Sequence, residues 1–251
     1  MLELLRARRR RVRRLFATAR AHDPELAAAA AAAGVGVEVV GEEEIARRAR
    51  TEVPQGLVAL AEEPAPRALQ DLTAGAGGAP AFLVVLDHVT DPHNLGAVLR
   101  SAVGAGVSGV VLARQRAAHL SPAAVKAAAG AVEHLDFALV AGVPAALGVL
   151  KAAGVWTVAL DAGAGTDLED VAVLRDRVAL VLGEEGRGLA PLVARRCDVR
   201  AAITLAGPLG SLNVSAAAAI ACFTVARHRR VATRERPAAE QRAASPDSPL
   251  V

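Results

Sequence analysis

An α/β fold with a mainly parallel sheet follows from three observations. Short, uninterrupted apolar runs recur through the C-terminal two-thirds of the chain, helix-compatible stretches separate them, and polar or glycine-rich turns come after them. A run that is apolar at consecutive positions suits a strand buried on both faces, which requires a sheet covered by helices on both sides. The expected strands are Phe82–Leu86, Val110–Ala113, Phe137–Val140, Val155–Leu160, Val178–Leu182 and Ala201–Leu205. Ligands in such folds bind outside the carboxyl ends of strands, so function belongs in the turns that follow them.

Residues 1–62 read as a smaller α/β module. A basic helix is expected near Leu4–Ala19, an Ala-rich helix from Pro24, a strand at Val35–Val40, a charged helix at Glu42–Arg50 and a short strand at Gly56–Leu60. The pattern lacks an opening strand before the basic helix. Residues 63–80 hold Glu63-Pro-Ala-Pro and Thr73-Ala-Gly-Ala-Gly-Gly-Ala-Pro80, whose Gly and Pro density predicts a mobile linker. The main domain is assigned to 81–231. The remainder, 232–251, is rich in Ala, Pro, Ser and charge with no periodic apolar face, and reads as a disordered tail.

Composition narrows the function classes. At 251 residues and 53% hydrophobic, the chain can bury one substantial core with a smaller module beside it. No apolar run approaches membrane-spanning length and the N-terminus lacks the order of a secretory signal, so a cytoplasmic location is expected. Cys197 and Cys222 read as free packing thiols. The net charge is only +3, yet Arg6, Arg8, Arg9, Arg10, Arg11, Arg13 and Arg14 crowd one stretch, compatible with phosphate contacts or with a solvated face. Aromatics total 2% and Tyr is absent, which argues against stacking platforms for single strands. His88, His93, His119, His134 and His228 show no metal-ligand spacing, so no metal is expected.

Three segments can carry chemistry. The first, Leu86-Asp-His-Val-Thr-Asp91-Pro-His-Asn94-Leu-Gly-Ala-Val-Leu-Arg100, is a strand end, a polar turn and a helix start. Asp91, His93 and Asn94 sit where side-chain oxygens cap free N–H groups and anions are attracted. Arg100 lies in an otherwise small, apolar helix, where a buried guanidinium requires an anionic or carbonyl partner. The second, Val178-Ala-Leu-Val-Leu182-Gly183-Glu-Glu185-Gly-Arg-Gly188-Leu, is a buried strand running into glycines and carboxylates, and glycine permits close backbone approach to a ligand. The third, Ile203-Thr-Leu-Ala-Gly-Pro-Leu-Gly-Ser211-Leu212-Asn213-Val-Ser, leads into an Ala-rich helix that Ser211 or Asn213 can cap. Gly104-Ala-Gly-Val-Ser-Gly109 matches the dinucleotide pattern G-x-G-x-x-G but follows a helix and precedes a strand, the reverse of the order that mechanism needs.

Taken in order, Asp91-Pro-His-Asn94-Leu-Gly-Ala-Val-Leu-Arg100-Ser, Leu182-Gly-Glu-Glu185-Gly-Arg-Gly-Leu and Gly210-Ser-Leu-Asn213-Val-Ser resemble the three motifs of the SpoU/TrmH class of SPOUT RNA methyltransferases. The likeness spans about Leu83 to Arg230. It is greatest to the ribosomal RNA guanosine-2′-O-methyltransferase branch, whose small N-terminal RNA-binding domain resembles a ribosomal protein. Val53-Pro-Gln-Gly-Leu-Val-Ala-Leu is similar to the end of that domain, whereas the start departs from it, so residues 1–62 read as truncated or the start codon as misassigned.

The resemblance implies a C-terminal trefoil knot, a homodimer with sites at the subunit interface, and transfer of a methyl group from S-adenosylmethionine to a ribose 2′-hydroxyl of structured RNA, ribosomal RNA foremost. It further implies cofactor contacts at the backbones of Gly183, Ile203 and Leu212, with Leu182 and Gly188 beside them. Arg100 is then the residue placed to handle the hydroxyl proton or the adjacent phosphate, and Asn94, Glu185, Ser211 and Asn213 shape the site. A guanidinium with a pKa above about 12 is a poor base at neutral pH, so clamping phosphate and stabilising the forming alkoxide are easier roles for Arg100. The catalytic motifs would equally serve a transfer-RNA or antibiotic-resistance ribosomal RNA methyltransferase. A different class, a non-catalytic ribosome assembly factor, is disfavoured by the set Asn94, Arg100, Glu185 and Asn213.

Overall fold

The structure is a computed structural model and describes residues 1–49, 54–75, 77–114 and 120–243, with side chains described as far as residue 233. The small unit runs α1 (Leu2–Ala7), β1 (Val12–Ala17), α2 (Pro24–Ala32), β2 (Val37–Val39), α3 (Glu42–Arg48) and β3 (Leu57–Ala61). Its sheet has the order β2-β1-β3, with β1 parallel to β2 and antiparallel to β3. The single basic helix expected over Leu4–Ala19 is therefore two elements. Arg8 takes a left-handed conformation at φ 51°, closing α1, and Leu15, Phe16 and Ala17 are all buried, as a central strand covered on both faces requires. The arginine run had masked this short apolar stretch. The buried stretch is β1, a strand that follows α1 and had been read as part of the basic helix.

The linker is also not the mobile connection expected. Within it, α4 (Leu69–Leu72) buries Leu69 and Leu72 in the core of the large unit, and the Arg67 N–H donates to the Phe137 carbonyl at 2.7 Å. Two apolar side chains one helical turn apart suffice to hold it.

The large unit runs β4 (Phe82–Leu86), α5 (Pro92–Ala105), β5 (Gly109–Ala113), α6 (Pro122–Ala127), β6 (Asp136–Val140), α7 (Val143–Ala152), β7 (Trp156–Leu160), β8 (Val178–Leu182), α8 (Pro191–Arg196), β9 (Val199–Ala201) and α9 (Val214–Ala243). Its six strands lie in the order β6-β5-β4-β8-β7-β9, and every pairing is parallel. All five residues of β4 and of β8 are buried, which is why these segments read as continuous apolar runs. Alternation divides them between two cores. Val84 and Leu86 pack with Leu95, Val98 and Leu99 of α5, while Leu83 and Val85 pack with Leu147 and Leu150 of α7.

The largest differences from expectation lie toward the C-terminus. The last strand occupies Val199–Ala201 rather than Ala201–Leu205; beyond it, Ala202 donates to the Thr166 carbonyl at 2.9 Å and accepts from Leu168 at 2.8 Å. The stretch from residue 232, expected to be disordered, is helical to Ala243 as a continuation of α9; residues 244–251, like Arg50, Val53 and His119, lie outside the described residues. Arg229 pins α9 to the start of β4, donating to the Pro80, Ala81 and Asp176 carbonyls at 3.0, 2.9 and 2.6 Å. The Gly104–Gly109 stretch is a helix-to-strand turn, with Gly106 closing α5 at φ 83°.

This strand order fixes where a ligand can sit. From β4 the chain builds outward through β5 to β6, then returns to lay β8 against the other side of β4. The carboxyl ends of β4 and β8 therefore meet at a topological switch point, the preferred ligand crevice of open parallel sheets.

Candidate functional site

At the end of β4, Asp87 is 2% exposed, and its Oδ2 accepts from the Ala190 N–H at 3.0 Å. This bond ties the turn after β4 to the far end of the loop after β8. Asp91 then caps α5, accepting from the N–H groups of His93 and Asn94 at 3.1 and 3.2 Å, with Pro92 at the first helical position. The cap sets Asn94 on the first turn of α5. Gly96 lets α5 lie directly on α6, since a Cβ there would be 2.4 Å from the Ala127 Cβ.

The loop after β8 folds back on itself. Glu184 and Gly188 exchange backbone hydrogen bonds at 3.1 and 2.8 Å, which brings the Gly188–Leu189 backbone against Gly183. A side chain at Gly183 would put its Cβ 2.1 Å from the Gly188 carbonyl carbon, so only glycine fits. The fold-back presents Glu185 toward both other segments. Its Oε2 accepts from Asn213 Nδ2 at 2.8 Å and from Asn94 Nδ2 at 3.3 Å, while Asn213 Nδ2 also donates to Asn94 Oδ1 at 3.1 Å. Asn213 Oδ1 in turn accepts from the Ser215 N–H and Oγ at 2.8 and 2.6 Å, so the same side chain caps α9. The capping role and the site role thus belong to one residue.

Beside this triangle lies a pocket of about 330 Å³. Of the residues singled out in the sequence, Leu182, Gly183, Glu185, Gly188, Ile203, Ser211 and Leu212 line it. Asn94 and Asn213 touch it only through Glu185. Arg100 is not brought to it: it lies six residues, or about 9 Å of helix, beyond Asn94, is exposed, and has no hydrogen-bond or ion-pair partner among the described residues. α5 turns Leu95, Val98, Leu99 and Ala102 inward and leaves Arg100 on the open face, so the guanidinium needs no buried partner.

Sequence reasoning missed Asp161, which also lines the pocket. It follows the last residue of β7, and its position at a strand's carboxyl end was the available signal. Its Oδ1 accepts from the Gly163 N–H at 2.9 Å and its Oδ2 from Arg200 Nη2 at 2.6 Å. The Gly163 bond first, then Arg200, hold its carboxyl below the usual carboxylate range despite some desolvation. Among the described residues, no group of three or more His, Cys, Asp or Glu side chains is placed to hold a metal ion, and no helix is long and apolar enough to cross a membrane.

A parallel sheet with a glycine-built pocket at its switch point, closed by three separate segments, defines a small-molecule-binding α/β unit joined to a basic accessory module. The chain belongs to the SpoU rRNA methylase family, whose profile matches residues 81–223; a second profile, described as RNA 2′-O ribose methyltransferase substrate binding, matches residues 1–67. A 23S rRNA (guanosine-2′-O-)-methyltransferase RlmB of Burkholderia is 44% identical over 176 residues, 70% of each chain. An uncharacterized tRNA/rRNA methyltransferase of Synechocystis is 44% identical over 147 residues, 59% of this chain and 38% of the relative. Several other curated relatives are matched over only 50–64% of their own length. Among solved structures, an AdoMet-bound rRNA methyltransferase from Sinorhizobium meliloti is similar with a TM-score of 0.75 and 29% identity, covering 90% of this chain and 84% of that one.

Proposed function

We propose that this chain transfers the methyl group of S-adenosylmethionine to a ribose 2′-hydroxyl of structured RNA, with a guanosine of large-subunit ribosomal RNA, the target named for its Burkholderia relative, as the substrate. The observation that carries the reading is the meeting of Asn94, Glu185 and Asn213, from three distant segments, beside the Gly183 pocket. The pocket suits the cofactor: its volume falls in the range of small-ligand sites, about 300–1,000 Å³, and its wall carries Asp161, Glu184 and Glu185, which complement a cationic sulfonium. The cofactor supplies an electrophilic methyl group when bound. The backbones at Gly183, Ile203 and Leu212 would hold it, with Leu182 and Gly188 completing the wall and Ser211 at its mouth.

The remaining task is to align the ribose oxygen and stabilise it as its proton leaves. Arg100 is assigned that role through charge and geometry, because its planar fork can clamp a phosphate and offset a forming alkoxide. Its position on the open face of α5, away from the pocket of its own chain, supports a homodimer in which a second copy helps complete the site. Exposed Ile220 and Phe223 on α9 support the same arrangement. A trefoil knot around residues 203–213 is part of the reading. It is supported by β9 at the sheet edge while α9 returns to the middle, where Asn213 bonds Asn94.

The test incubates the purified chain with labelled methyl donor and, separately, in vitro transcripts of large-subunit ribosomal RNA and transfer RNA, then maps hydrolysis-resistant 2′-O-methyl positions. Label at a guanosine of the ribosomal transcript is expected. Label on transfer RNA alone would reassign the substrate, and cofactor binding by calorimetry without transfer to either RNA would refute the catalytic reading.

A further inference from the structure

The arginines of residues 6–14 do not act as one patch. Arg6 pairs with Glu25 at 2.5 Å, Arg13 with Glu62 at 3.2 Å and Arg14 with Glu38 at 2.7 Å, all within the small unit. Arg9 and Arg10 reach across to the large unit instead. Arg9 bonds Asp136 and the Leu135 carbonyl, and Arg10 Nε meets Glu133 at 3.0 Å, where Glu133 is 3% exposed. Two guanidiniums remain without a carboxylate. Arg8 donates to the neutral Ala32 carbonyl, and Arg11 has no partner among the described residues.

Both of these lie on one feature. An open cleft of about 890 Å³ runs between the Arg8–Arg13 segment and the Ala33–Gly36 turn after α2, and among the described residues no carboxylate-bearing one lines it. Its wall is set by Arg9 and Arg10, which are locked to the large unit, so the cleft is held in a fixed relation to the sheet that carries the site. We infer that this cleft binds the sugar-phosphate backbone of the RNA substrate, with Arg8 and Arg11 as its phosphate contacts and Arg9 and Arg10 as positioning residues. The inference rests on the RNA methyltransferase reading and adds to it where the RNA lies. An extended polyanion suits the cleft better than a compact ligand does. The space is open and mostly polar, no aromatic side chain lines it to stack a base, and the free charges are three residues apart along its wall.

The test is the salt dependence of binding to an in vitro transcript of large-subunit ribosomal RNA. Each phosphate contact contributes roughly 0.7–0.9 to the slope of log affinity against log salt. Arg11→Ala should lower the slope by about that amount and weaken binding roughly 4- to 5-fold at 0.15 M salt, and adding Arg8→Gln should lower the slope further. Arg14→Ala, in the same run but paired with Glu38 and outside the cleft, should leave the slope unchanged. Thermal melting and cofactor calorimetry on each variant establish that it is folded. An unchanged slope in a folded Arg8→Gln/Arg11→Ala variant overturns the inference and leaves the cleft to some other anion. An equal drop in Arg14→Ala also overturns it, because the effect would then follow net charge alone. Wild-type protein that binds cofactor but no RNA would sink the functional reading together with the cleft.

Discussion

Replacing Gly183 by alanine tests the geometry of the pocket most directly. The new Cβ would lie 2.1 Å from the Gly188 carbonyl carbon, 2.2 Å from its oxygen and 2.3 Å from the Leu189 nitrogen. All three are backbone atoms, so no rotamer change relieves the overlap. Ordinary contact begins at 3.4 Å, and the loop must therefore retreat by 3.4 less 2.1, or 1.3 Å. A retreat of that size breaks the paired Glu184–Gly188 hydrogen bonds. Two such bonds contribute about 0.5–1.5 kcal/mol each, and overpacking costs about 1–3 kcal/mol, so the expected loss is at least about 2 kcal/mol. For a chain of this size the melting temperature should fall by roughly 4 °C or more. Cofactor affinity, measured by calorimetry, should fall at least about tenfold, since an interaction loss above 1.4 kcal/mol at the binding wall has that effect. Gly186→Ala is the comparison: Gly186 sits at φ 80° with no atom within 4 Å of an added Cβ, so it carries backbone strain without a clash. If Gly183→Ala melts with the wild type and binds cofactor equally well, the fold-back loop does not form the pocket wall.

Other perturbations probe the remaining links. Arg100→Lys should lose most turnover while retaining cofactor affinity, because a point charge cannot reproduce a planar fork and the residue lies away from the pocket; near-normal turnover in single-turnover assays would sink that role. Arg10→Ala leaves the Glu133 carboxylate buried without its partner and should cost roughly 3 kcal/mol in denaturant unfolding, with much of the loss recovered in Arg10→Met/Glu133→Met. A loss under about 1 kcal/mol would show that the pair is solvated. For Asp136, burial pushes the carboxyl up, but hydrogen bonds from Arg67 and Arg9 outweigh it and leave the folded value below the ordinary 3.8. Its contribution is therefore present above that ordinary value and lost as pH falls through the depressed one. Wild type and Asp136→Asn should differ in melting temperature at neutral pH and converge in strong acid, and a gap persisting there would contradict the assignment.

Much of the large unit was legible because its determinants are local. Phe82–Leu86 and Val178–Leu182 are apolar at every position, a pattern that suits a strand covered on both faces, and the structure places both with their bounds unchanged. The resemblance implied cofactor contacts at Gly183, Ile203 and Leu212, and all three line one pocket. Asp161 carried a positional signal and was overlooked. Where charge and hydrophobic pattern competed, the pattern won. Leu15-Phe16-Ala17 is the buried end of a strand although seven arginines precede it, and Leu69 and Leu72 dock a segment whose glycines and prolines suggested mobility.

The sequence by itself determined the class of fold, the strand-end turns that carry chemistry and the identity of the three motifs, since each depends on residues close together in the chain. Only the tertiary structure decided how charges are distributed. Local sequence cannot tell a paired arginine from a free one when the partner is Glu133 or Asp136, more than 120 residues away. Nor can it show that β8 lies beside β4, which is what brings Glu185 to Asn94. Ion pairs and site geometry are through-space quantities, and the strand order that sets those distances is fixed by packing of the whole sheet.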